Sequence, residues 1–210
     1  MRVKRFIMNC LDSNSYLVYG NENCYLVDIG GNDIEKITDF IEENNLKLNG
    51  VFLTHGHIDH IAGLSSIIEK YPDIKIYISE IEEKLLYDKM LNLAVHFAEF
   101  AFNFNGEKNV VMVKEGDVID FKFQIISTPG HTAGSISIYM ESENVIFTGD
   151  TLFKSSIGRT DLPTSDYKEI WKSLKKLVEY PENTVVLPGH GDESIIKRER
   201  KNLFEDEEDF

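Results

Sequence analysis

Short apolar segments of strand length alternate with helical patterns along this chain, and the order strands, helices, strands, helices recurs in each half. Strand candidates cover 2–8, 15–19, 24–29, 50–53, 75–78, 109–113, 121–127, 135–140, 144–148 and 184–187, each bounded by turn residues. Helical spacing is clearest over 33–44, where Ile34, Ile37, Phe40 and Ile41 share a face. It recurs over 165–179 with Tyr167, Ile170, Trp171, Leu174 and Leu177, and Ser165 is placed to cap that helix. Further helices are expected over 61–71, 80–91 and 192–202. This order suits two mixed β-sheets packed face to face with helices outside, better than one doubly wound parallel sheet. No Pro/Ser/Gly-rich linker or low-complexity run divides the 210 residues, so a single domain over 1–210 is expected, ending in the acidic tail 205–210.

The net charge of −14 excludes several partners. A phosphate backbone requires a positive field, so nucleic acid is not expected as a ligand. The apolar runs are strand-sized and charges interrupt every helical pattern, which argues against a membrane span. The N-terminus lacks the apolar run and small-residue cleavage site of a signal peptide. The two cysteines, Cys10 and Cys24, have no metal-finger spacing and read as reduced thiols in a cytoplasmic protein.

Chemistry-bearing residues gather at strand ends. THGHIDH (54–60) follows the strand at 50–53 and holds three of the six histidines. His131 in TPGHT, Asp150 in FTGD and His190 in PGHG each follow another strand candidate. Loops at strand ends converge on one edge of a sheet, and the adjacent Gly and Pro set sharp turns. His55, His57, Asp59, His60, His131, Asp150 and His190 form a set of imidazoles and carboxylates large enough for two divalent ions. Such donors suit Zn2+ first, with Fe or Mn as alternatives, and leave positions open for water. A bound ion lowers the pKa of its water towards about 7 and supplies hydroxide at neutral pH.

HGHIDH (55–60), His131, Asp150 and His190 resemble, in order and spacing, the metallo-β-lactamase superfamily, over residues 14 to 202. The resemblance implies the αββα sandwich fold. It implies that His55, His57 and His131 bind one metal, that Asp59, His60 and His190 bind the second, and that Asp150 bridges the two. Asp59 would also orient the attacking water. The lactamases proper usually lack the bridging Asp and use a Cys ligand, whereas Asp150 is present here and neither Cys lies in a motif.

The stretch GDTLFKSSIGRTDLP (149–163) is similar to the glyoxalase II (hydroxyacylglutathione hydrolase) group, especially its short single-domain members. Arg159 falls where that group places a basic residue on glutathione, and a guanidinium could take a substrate carboxylate bidentately; pairing with Asp161 at the surface is the competing reading. About 20 residues follow His190, too few for the helical C-terminal domain of the larger enzymes. The expected activity is therefore hydrolysis of a small-molecule thioester such as S-lactoylglutathione by a metal-bridging hydroxide. The rival readings are a mononuclear iron persulfide dioxygenase and a non-enzymatic metal-binding module. His96 lies among Phe97, Phe100, Phe102 and Phe104 and reads as a core or surface histidine, with an apolar lid over the metals as the alternative.

Overall fold

Which strands bury both faces follows from the sequence pattern. The continuous apolar runs CYLV and VFL give strands covered on both sides, while RVKRFI is mostly polar and buries only Phe6, as an edge strand does. The computed structural model describes residues 1–204; the acidic tail 205–210 lies outside the described residues. The chain divides into two compact units, the first Met1–Val113 and the second beginning at Lys114, and each carries one of the two expected mixed sheets.

The first unit holds β1 (Arg2–Ile7), β2 (Asn14–Tyr19), β3 (Asn23–Val27), α1 (Glu35–Glu43), β4 (Lys47–Phe52), α2 (Ile58–Ile61), α3 (Leu64–Lys70), β5 (Lys75–Ser79) and β6 (Val110–Val113). Its sheet runs β1-β2-β3-β4-β5-β6. The first three strands pair antiparallel, and β3 to β6 pair parallel. Leu26, Ile37, Ile41, Val51, Ile61, Ile67 and Ile76 sit in its core, to which α1 contributes the face its spacing predicts. On the edge strand, the Lys4 ammonium lies 4.2 Å from the centre of the Phe40 ring.

The second unit holds β7 (Val118–Ile119), β8 (Phe123–Ser127), β9 (Ile136–Met140), β10 (Val145–Gly149), β11 (Leu152–Phe153), β12 (Ser156–Ile157), α4 (Tyr167–Leu177), β13 (Val185–Pro188), β14 (Ser194–Ile195) and α5 (Ile196–Phe204). The sheet order is β14-β13-β10-β9-β8-β7, with β10 and β13 parallel and the other neighbours antiparallel; β11 and β12 form a separate hairpin. Ile170, Leu174 and Leu177 of α4 pack with Ile126, Ile146 and Val186.

Local expectations needed four adjustments. The helix over 61–71 starts earlier, at Ile58, and is broken into α2 and α3 around Gly63. The helix over 80–91 shrinks to one 3-10 turn, Glu83–Leu86, because the Asp88 carboxylate takes the Met90 and Leu91 amides into a turn of its own. The cap of α4 is Asp166, not Ser165: Asp166 is extended and accepts from the Lys168 and Glu169 amides, while the Ser165 hydroxyl donates to the His131 carbonyl. Finally, α5 begins only at Ile196, after the two-residue strand β14.

Candidate metal centre

Parallel neighbours end on the same edge of a sheet, and this gathers the ligand residues of each unit. In the first unit β3 and β4 run parallel, so Asp28 after β3 meets the THGHIDH loop after β4. In the second, β8, β10 and β13 point the same way, so His131, Asp150 and His190 emerge on one edge.

Four predicted ligands belong to the first unit. His57 is extended and caps α2, which carries Asp59 and His60 in its single turn. All four are buried. The ring centres of His55 and His57 are 4.9 Å apart, and those of His55 and His60 4.2 Å. Asp59 Oδ2 lies 3.9 Å from His60 Nε2. Gly56 allows this crowding: a Cβ there would meet Leu85 Cβ at 2.4 Å, and its amide donates to the buried Glu82 carboxylate at 2.9 Å. The Ile58 amide donates to the Asn92 carbonyl, holding the loop from its other end.

A hydrogen-bond relay settles which ring nitrogens face outward. Asp28, buried and at φ +57°, accepts from the Thr54 amide through Oδ1 and from the Thr54 hydroxyl through Oδ2. Asp28 Oδ2 also lies 2.8 Å from His60 Nδ1. A carboxylate only accepts, so His60 Nδ1 carries the proton and Nε2 the lone pair. The single Thr54 hydroxyl proton is committed to Asp28. Thr54 Oγ1 therefore accepts from His55 Nδ1 at 3.1 Å, which leaves the His55 lone pair on Nε2 as well.

The second unit repeats the device. His131 Nδ1 lies 2.9 Å from the Arg159 carbonyl, an acceptor only, so His131 too presents Nε2. Asp150 Oδ2 lies 3.7 Å from His131 Nε2 and 3.7 Å from His190 Nε2, so one carboxylate oxygen faces two imidazoles. Gly158 permits the close approach of the Arg159 loop, since a Cβ there would lie 1.7 Å from the Asp150 carbonyl. The Arg159 side chain itself is exposed and pairs with Asp161 through Nε and Nη2 at 2.7 and 2.8 Å, the competing reading of this residue. Hydrogen bonding to Asp161 holds its pKa above the ordinary arginine value.

These donors fit a metal: imidazoles, three of them with Nε2 turned outward, beside the carboxylates of Asp59 and Asp150, are the kind of set that Zn2+ or Fe2+ binds. Asp28, Glu82 and Asn92 were missed in the sequence. Asp28 shows the same strand-end signature as the ligands, in LVDIGG, whereas Glu82 and Asn92 carry no local signal. His96 is exposed on a 3-10 turn, Ala94–His96. Cys10 and Cys24 are buried free thiols. Burial pushes both up to about 12, and at Cys10 the nearby charge of Asp59 adds to the effect.

The profile of the metallo-β-lactamase superfamily matches residues 8–190, from before the first predicted ligand to the last. The chain belongs to the metallo-β-lactamase superfamily. A crystal structure described as the BLEG-1 B3 metallo-β-lactamase superposes with a TM-score of 0.89 at 30% identity, covering 97% of this chain and 99% of that one. The structure of TTHA1623 in a di-iron-bound form gives 0.83 at 29% identity, covering 95% and 98%. Among curated relatives, the hydroxyacylglutathione hydrolase GloC of Haemophilus influenzae is 30% identical, with 96% of both chains covered. The metallo-β-lactamase fold expected from the sequence is thereby shown, in a superfamily of metallo-hydrolases that bind divalent metals. No helix among the described residues is long and apolar enough to cross a membrane.

Proposed function

We propose that the chain is a metal-dependent thioester hydrolase of the glyoxalase II type, with a centre of two divalent ions. In this reading His55, His57 and His131 would hold one ion and Asp59, His60 and His190 the other, with Asp150 available to both. The observation that carries it is the tautomer relay: His55, His60 and His131 each spend Nδ1–H on an oxygen acceptor and turn Nε2 outward. The ions, when bound, supply a Lewis acid for the carbonyl oxygen and hydroxide at neutral pH.

The chain's own residues orient and hold protons. Asp28 and Thr54 fix the His60 and His55 rings; Glu82 and Asn92 fix the loop that carries them. Asp59, at the start of α2, is the carboxylate assigned to orient the attacking water. The ligand set employs every histidine except the surface His96, so none remains to protonate a leaving group. A thiolate needs no such help, because a thiol has a pKa of about 8.5. The likeness to GloC at 30% identity supports the same substrate class. Zn2+ is the first candidate metal, with iron supported by the di-iron relative. A role for Arg159 in holding a substrate carboxylate requires its guanidinium to leave Asp161.

The test is a substrate panel with metal-loaded protein: acyl-glutathione thioesters, a β-lactam, and glutathione persulfide with oxygen uptake recorded. Thioester hydrolysis that His57→Ala abolishes, with two metal ions per chain, is the expected result. Full activity after complete metal stripping, or persulfide oxidation with a single iron, overturns it.

A further inference from the structure

The segment 87–104 of the first unit does more than fill the core. Phe102 and Phe104 are buried, but Tyr87, Met90 and Val95 stand exposed, and Phe97 and Phe100 are only partly covered. Two residues other than glycine, Leu93 at φ +67° and Ala101 at φ +44°, take left-handed backbone at the two ends of a pair of 3-10 turns, Ala94–His96 and Ala98–Phe100. Such conformations are unfavourable for a branched or β-carbon-bearing residue and cluster where a shape is required. Here the shape is a half-open cavity of about 260 Å3 lined by Ala94, Val95, Phe97, Ala98, Ala101 and Phe102.

One charged residue is among the lining residues. Lys89 also lines the cavity, and its ammonium makes no ion pair among the described residues. The cavity wall is tied to the ligand loop through one residue. Asn92 is fully buried; its carbonyl accepts from the Ile58 amide, its side-chain oxygen accepts from the Ala94 amide, and its side-chain nitrogen donates to the Leu85 carbonyl. The loop bearing His57 and the wall of the cavity therefore share a single buried clamp.

We propose that this cavity binds an apolar chain of about six to eight carbons carrying an anionic group at its mouth, and that the chain is the acyl group of the thioester substrate. Volume sets the size of the occupant: an engineered apolar cavity of about 150 Å3 accepts benzene, and a methylene occupies about as much space as a water, roughly 30 Å3. The walls select apolar carbon, and the Lys89 ammonium complements the negative charge of the thiol carrier or of a free carboxylate. The substrate assignment rests on the thioester reading above; the cavity itself does not.

The experiment measures both with the full metal-loaded chain. Octanoate alone is titrated calorimetrically into wild type, Lys89→Ala, Ala98→Trp and Val95→Ala, and acetyl-, butyryl-, hexanoyl- and octanoyl-glutathione are compared for kcat/KM. Octanoate is expected to bind wild type, to bind Lys89→Ala about two- to fivefold more weakly, and to be lost from Ala98→Trp, which fills the space. The thioester series is expected to rise roughly fourfold per methylene until the cavity is full, to flatten beyond butyryl in Ala98→Trp, and to peak at a longer chain in Val95→Ala. Failure of octanoate to bind wild type, or undiminished binding by Ala98→Trp with Val95→Ala also unchanged, overturns the cavity. A flat thioester series with octanoate bound overturns the assignment to the substrate. Octanoate binding without hydrolysis of any thioester removes the thioester reading and leaves the cavity standing.

Discussion

Asp28 Oδ2 lies 2.8 Å from His60 Nδ1 and 2.7 Å from Thr54 Oγ1, so one buried oxygen orients two of the predicted metal ligands, His60 directly and His55 through the threonine. Asp28→Asn preserves the volume but places an amide where only an acceptor serves. The expected outcome is a loss of metal affinity of about 10- to 100-fold, read by competition against a chelator. Thr54→Val should free His55 alone and cost less than Asp28→Asn. Equal affinity in all three proteins would show that the relay does not set the tautomers.

Glu82 acts on backbone rather than on a ring. Its carboxylate takes the Gly56 amide at 2.9 Å in a buried setting, and Glu82→Leu leaves that donor without its acceptor. A destabilisation of about 1–3 kcal/mol in urea titration is expected, with Glu82→Gln restoring most of it because the amide oxygen still accepts.

Gly158 stands against the Asp150 carbonyl, and a Cβ there would also lie 3.2 Å from His131 Nδ1. Gly158→Ala is expected to push the Arg159 carbonyl away from His131 and to lower the metal content per chain. Metal analysis checks it, and wild-type occupancy would show that the loop can yield without cost to the ligands.

Asp166 caps α4, and the backbone amides of Glu169 and then Lys168 hold its pKa below the ordinary aspartate value. A lowered carboxylate stabilises the fold above its unfolded pKa of about 3.9 and loses that contribution as pH falls through the folded value. Asp166→Ala should therefore lower the thermal midpoint at neutral pH, and the gap from wild type should close progressively below about pH 4. A gap independent of pH would mean that packing, not the cap charge, is responsible.

Cys10 and Cys24 should resist a thiol reagent in the native protein and react fully in denaturant. Both are buried, and burial holds both thiols protonated, up to about 12. Rapid labelling of the native chain would show that one of them becomes exposed.

Much of this protein could be read along the chain, because its signals are local. The period of Ile37 and Ile41 makes α1, the unbroken apolar runs make β3 and β4, and HGHIDH with His131, Asp150 and His190 marks the predicted ligand set through residue type and strand-end position. Short pairings such as β11 with β12 escape, since two residues carry no period. The expected helix over 80–91 fails because the side chain of Asp88 outcompetes the helical hydrogen bonds.

Tertiary structure alone decided how the predicted ligands are held. Asp28 and Thr54 are 26 residues apart, as are Gly56 and Glu82, and His131 and Arg159 are 28 apart. Each pair meets only after strands or loops have been brought side by side, and proton positions follow from who meets whom. Sequence by itself determined which side chains could bind metal, a matter of residue type. The fold decided which nitrogen of His55, His60 and His131 carries the lone pair and where a strained, Phe-lined cavity opens, because both depend on contacts between residues distant along the chain.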